Sequence, residues 1–129
     1  MKSTYDPHDD PDPKEWLSLD EGIRSMLVEE YHQEAGIKLP NLRLHALIHV
    51  VVENQVAMAD ETPVQRTLNR LIEEGLDRHD AIHAIGSILA KQIYNLFNEK
   101  PESGFSDSAY RQDLERLTAE SWSRGDWTK

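Results

Sequence analysis

The stretch LRLHALIHVVVENQVAMA, residues 42–59, decides the fold class. Its valines, Val50, Val51, Val52 and Val56, would suit a strand as well as a helix. The polar residues and the length choose between the two. His45, His49 and Glu53 recur at every fourth position, the repeat of one helix face. An uninterrupted segment of this length also exceeds the usual strand of roughly 3–10 residues. The apolar residues cover most of the helix circumference, which predicts a central, buried position.

The flanking sequence has helical punctuation. Pro13 suits a first helical turn, Ser18 followed by Glu21 resembles a capping box, and Gly36 ends the segment. Within it, Trp16, Leu17, Ile23, Met26, Leu27 and Tyr31 recur near helical spacing and predict the apolar face. Asn41 caps the central helix. Thr62 and Pro63 start a third helix that runs to Glu74 and stops at Gly75. Asp77 caps a fourth, striped with Ile82, Ile85, Ile88, Leu89, Ile93 and Leu96 to about Phe97. KPESGFSDS is a loop. A fifth, more polar helix begins at Ser106 or Asp107 and carries Tyr110, Leu114, Leu117 and Trp122 before RGDWTK frays. The expectation is an all-α chain: residues 1–12 an extended acidic arm, and residues 13–129 a single domain of four core helices plus the polar C-terminal helix.

Composition narrows the chemistry. The net charge of −10 argues against nucleic acid or an anionic membrane as partner, since both reward basic patches. The chain has no cysteine, so any metal must use His, Asp or Glu. MKSTYDPHDDPDPKEW is acidic and proline-rich, unlike a signal peptide, and the apolar runs stop short of a membrane span. A cytoplasmic protein is expected.

Four of the six histidines form two pairs spaced by four, His45 with His49 and His79 with His83. Such a pair stacks on one helix face, close enough for both imidazoles to reach one ion. Glu53 extends the first ladder by a turn. If the third helix retraces the second at about 1.5 Å per residue, the second and fourth run parallel. His79 is then level with His49, and His83 with Glu53. The predicted metal ligands are therefore His49, Glu53, His79 and His83, with His45 one turn outward as a further ligand. A carboxylate in so apolar a helix needs a metal or a cation, and Arg66 and Arg70 are the rival partners. Asn54 and Gln55 could hold the far nitrogens of ligating imidazoles. Gly86 allows close approach on the same face, and His8 and His32 read as surface residues.

Nitrogen and oxygen ligands suit zinc foremost, with iron, manganese, cobalt or nickel as alternatives. RHDAIHAIG, residues 78–86, reads His-Asp-x-x-His and resembles the His-Glu-x-x-His helix of zinc metallopeptidases. If the site is catalytic, a metal-bound water is the nucleophile and Asp80 the base of a hydrolase, though aspartate is one methylene shorter than the glutamate it replaces. The competing reading is a metal-free acidic interaction or regulatory module with a buried His/Glu hydrogen-bond network. Over residues 13–98, LHALIHVVVENQ followed by TPVQRTLNRLIEEGLDRHDAIHAIGS resembles a family of small bacterial proteins of unknown function. The resemblance implies an all-α, soluble, cytoplasmic protein and no particular activity. A small molecule, a protein or a second copy of the chain all remain open as partners.

Overall fold

Side-chain caps set where the helices begin. In the computed structural model, which describes residues 5–36, 41–59, 62–98 and 107–124, Asp12 accepts from the Lys14 amide at 2.9 Å and opens α1 (Pro13–Ser18). Asp20 accepts from the Gly22 amide at 3.0 Å and opens α2 (Glu21–Glu34). The single first helix expected from the sequence is thus two, broken at Leu19. Ser18 does not cap the second piece: its hydroxyl donates to the Glu15 carbonyl at 2.7 Å. The break frees carbonyls that need donors. Arg24 supplies them, reaching Leu19 O at 2.8 Å and Leu17 O at 3.1 Å.

Asn41 caps α3 (Leu42–Ala57) through the Leu44 amide at 3.0 Å, as its position predicts. Thr62 accepts from the Val64 amide at 3.3 Å, and α4 (Val64–Glu73) starts one residue later than expected. Asp77 caps α5 (Arg78–Asn98) through the Asp80 amide at 2.8 Å. The polar C-terminal helix is also two, α6 (Asp107–Arg116) and α7 (Ala119–Arg124). At the joint, Thr118 and Ser121 exchange side chain-to-amide bonds of 3.0 Å in both directions, a reciprocal cap that starts a new helix. Gly36 and Gly75 end α2 and α4 at φ +75° and +117°, conformations that strain any residue with a Cβ. Of the loop expected at KPESGFSDS, residues 100–108, the first seven lie outside the described residues and the last two begin α6; the chain end from residue 125 also lies outside them. Among the described residues there is no strand, and no helix is long and apolar enough to cross a membrane.

α3 is the central element, as its apolar circumference predicts. One side buries Val52 and Val56 with Leu68 and Leu71 of α4, Ile82 and Ile85 of α5, and Leu114 of α6. The other side buries Ala46 and Val50 with Tyr5, Trp16 and Val28. Each large apolar side chain removed from water contributes about 1.5–3 kcal/mol. The polar triplet Glu53-Asn54-Gln55 then binds α3 to its neighbours. Successive helical residues point about 100° apart, so the three reach different partners. Glu53 meets Arg78. The Asn54 side-chain oxygen accepts from Trp16 Nε1 at 2.9 Å and Arg24 Nη1 at 2.8 Å. The Gln55 oxygen accepts from the Tyr110 hydroxyl at 2.8 Å. Asn54 and Gln55 therefore join helices and do not hold the imidazoles.

Gly86 is where α5 presses onto α3. A Cβ there would lie 3.0 Å from Ile48 Cγ2 and 3.9 Å from Val52 Cγ2. Gly86→Val should therefore lower stability by about 1–3 kcal/mol in urea unfolding, the usual range for overpacking. Part of that loss should return in the Gly86→Val, Ile48→Ala double variant. Wild-type stability in the single variant would show that the contact is slack.

Candidate metal centre

Three helices deliver five imidazoles to one place. α2 brings His32, α3 brings His45 and His49, and α5 brings His79 and His83. One ring nitrogen from each of His32, His45, His49 and His83 lies within 4.8 Å of those of the other three. The Nε2 atoms of His45 and His83 lie 3.1 Å apart, within hydrogen-bond distance of each other. His79 adjoins this set without being one of the four. Its ring centroid lies 4.2 Å from that of His83 and 5.2 Å from that of His49.

His32 is the residue that the sequence reading misplaced. It is fully buried at 0% exposure and touches the rings of all four other members. The buried stripe of α2 is Arg24, Val28 and His32, whereas Ile23 and Met26 are exposed. Leu27 and Tyr31 of the expected face do pack against the core, but hydrophobicity missed the most buried stripe because it holds a single apolar residue. The usable signal was the spacing of four that sets His32 behind Val28.

The interhelical register also differs from the one expected. His79 does meet His49, but His83 meets His45 rather than Glu53, and Arg78 takes Glu53. Advancing along α5 therefore means moving back along α3, the reverse of a parallel pair. Glu53 is 1% exposed, and Arg78 Nη1 and Nη2 donate to its two oxygens at 2.8 Å each. The Tyr5 hydroxyl donates a further short hydrogen bond to Glu53 Oε2. Burial opposes the Arg78 charge, but hydrogen bonding and attraction to Glu53 outweigh it and hold the guanidinium above its usual range. Of the expected rivals for Glu53, Arg70 pairs with Glu74 at 2.8 Å and Arg66 is exposed.

These contacts orient the ring nitrogens. His32 Nδ1 lies 2.9 Å from the Val28 carbonyl, which can only accept, so Nδ1 carries the proton. The Tyr5 hydroxyl spends its proton on Glu53, so His49 Nδ1, 3.0 Å from the same oxygen, is the donor of that pair. Each Nε2 is then left with a lone pair. Among the described residues, the Nε2 atoms of His32, His49 and His79 are buried without a hydrogen-bond partner. Burial, reinforced by mutual repulsion among the imidazoles, lowers the pKa of His45 and His79 to about 4 and of His83 to about 3. It takes His49 well below the ordinary value.

The cluster opens on one side into a cleft of about 450 Å³. His45, His49 and His83 line it together with Leu44, Ile48, Ile82 and Trp122. Asp80 lies elsewhere. It is exposed in the first turn of α5, and partial desolvation by its neighbours and the nearby Asp77 raise its carboxyl pKa.

The model of a domain of unknown function, DUF1841, matches residues 11–116. The chain belongs to the DUF1841 family. The matched span holds all five clustered histidines, Glu53 and Arg78, while Tyr5 lies before it. No curated protein and no solved structure matches the chain.

The depressed histidines tie the stability of this DUF1841 chain to pH. The unfolded chain takes up protons near the ordinary histidine value of 6.5, whereas His45, His79 and His83 resist until about 4, 4 and 3. Between these values the unfolded state binds more protons, so stability is full above the ordinary value and falls as the pH drops. The urea midpoint of metal-free protein should thus decline steadily from about pH 7 to about pH 4. His83→Gln should flatten the decline. A midpoint insensitive to pH in that window would mean that the imidazoles are solvated.

Proposed function

We propose that this protein binds a divalent transition-metal ion, zinc foremost, through His32, His45, His49 and His83, with His79 packed beside them. The observation that carries the reading is the convergence of four imidazole nitrogens: His32 Nε2 and His49 Nε2 are buried without a partner, and His45 Nε2 and His83 Nε2 face each other beside them. Each unsatisfied buried polar group costs about 1–3 kcal/mol. A single cation would satisfy several lone pairs at once. The 3.1 Å between the Nε2 atoms of His45 and His83 is close to the ~3.3 Å edge of a tetrahedron with Zn–N bonds of about 2.0 Å. An all-nitrogen donor set suits zinc, with iron, cobalt and nickel as alternatives; manganese, which prefers oxygen, fits it less well.

Glu53 enters this reading one step behind the ion. Its carboxylate holds Tyr5, Tyr5 holds His49 Nδ1, and the relay fixes the ring with Nε2 inward. Carboxylates commonly orient metal-ligating histidines in this way. A hydrolase would need a base at the metal, and Asp80, the candidate from the sequence, is not among the residues lining the cleft. Metal binding is therefore the function proposed, without a reaction.

The Tyr5–Glu53–Arg78 network is complete without an ion, and this favours the competing reading of a metal-free module. Metal content separates the two. Protein stripped with chelator and reloaded with zinc should hold about one equivalent per chain, and His32→Gln and His83→Gln should each weaken binding at least about tenfold. Tyr5→Phe should weaken it by about 10–100-fold through the loosened His49 ring. Wild type holding less than about a tenth of an equivalent, with each metal in excess, would leave the metal-free module.

A further inference from the structure

We propose that the cleft beside the histidines binds a small molecule made of an anionic, metal-ligating head and a short apolar tail. The inference rests on the metal reading above and adds the ligand. The cleft of about 450 Å³ falls within the range of small-molecule sites, about 300–1,000 Å³. Apart from the histidines, its walls are mostly apolar, with Leu44, Ile48, Ile82, Ala90 and Trp122 suiting hydrocarbon and Asn41 and Ser87 as uncharged polar members. Among the described residues, no Lys, Arg, Asp or Glu lines it. A charged group inside would find no counter-ion on the walls, so a metal at the histidines is the one place for an anionic head.

A second observation points the same way. His49 is 2% exposed, its Nε2 has no hydrogen-bond partner, and it lines this cleft. His45 and His83 line it beside His49, while His32 and His79 do not. An ion held by the imidazoles would thus have one side against packed helices and one side facing the cleft. A carboxylate or hydroxamate oxygen entering from that side would reach the ion as an added ligand, expanding the four-imidazole set to five-coordinate, and leave its tail along Ile48 and Ile82. Each methylene taken from water contributes about 0.8 kcal/mol, so affinity should grow with tail length.

The test uses the full chain loaded with zinc and two probes, acetohydroxamate and octanohydroxamate, with binding followed by calorimetry. The longer probe should bind at least tenfold tighter. Ala90→Trp, which fills the mouth from an exposed position on α5, should retain zinc and lose that preference. Leu44→Glu, at a residue 53% exposed, should reduce it by placing a charge on the wall without disturbing the core. Zinc uptake with equal affinity for the two probes would overturn the cleft and leave the metal reading standing. Undiminished tail preference in Ala90→Trp would place the tail elsewhere and also overturn it. A chain that takes up no zinc overturns both.

Discussion

The buried ion pair between Arg78 and Glu53 is the contact on which the rest of the structure depends. It joins the first turn of α5 to the last turns of α3. Removing two charges from water is expensive, and the geometry offsets the cost only when nearly every donor and acceptor is used. Here that condition is met. Glu53 accepts from both terminal nitrogens of Arg78 and from Tyr5. The remaining Arg78 donors reach Pro7 O at 2.9 Å and Asp10 at 2.7 Å. The same guanidinium thereby ties residues 7–10 to the helices. Losing one partner of such a pair typically costs about 3–5 kcal/mol, because the other charge is stranded.

Beyond that pair, the polar interior divides into two parts with different needs. The Tyr5–Glu53–Arg78 part is closed on itself. The imidazole part is not. His32 and His49 are packed like core residues, ring edge against ring face, yet each keeps an inward Nε2 lone pair. An apolar replacement at His32 would fill the space between α2, α3 and α5 with no such penalty. Histidines in this arrangement are a poor way to build a core and a good way to hold a cation. Tyr5 links the two parts, since one hydroxyl contacts both Glu53 and His49.

Much of this was legible in the sequence, and the misses have physical causes. The caps at Asn41 and Asp77 and the stops at Gly36 and Gly75 are local, so reading them needed no tertiary knowledge. The spacing of four brought His45, His49, His79 and His83 forward correctly as residues on two shared faces. The helix-depth argument aligned His79 with His49. It then failed at His83, because a register taken from idealised parallel helices cannot foresee that Arg78 captures Glu53. His32 was invisible to hydrophobic periodicity, since the stripe it belongs to contains an arginine and a histidine around one valine. The break at Leu19 was hidden by a plausible cap at Ser18, two residues before Asp20, which caps α2 instead. Tyr5 sits in an acidic, proline-rich segment without helical periodicity, and its burial against Trp16, Val28 and Val50 and its bonds to Glu53 and His49 are all long-range contacts.

The central claim is that the fold turns the Nε2 lone pairs of His32 and His49 inward, beside the facing Nε2 atoms of His45 and His83, toward a common ion. Nitrogen-15 NMR of the histidine side chains in metal-free protein near neutral pH tests it most directly. His32 and His49 should report the tautomer protonated at Nδ1, and the Nε2 signals of His32, His45, His49 and His83 should shift together as zinc is added, saturating at about one equivalent. Imidazolium signals from His45, His49, His79 or His83 at neutral pH, protonation of His32 or His49 at Nε2, or Nε2 signals indifferent to zinc would contradict the account.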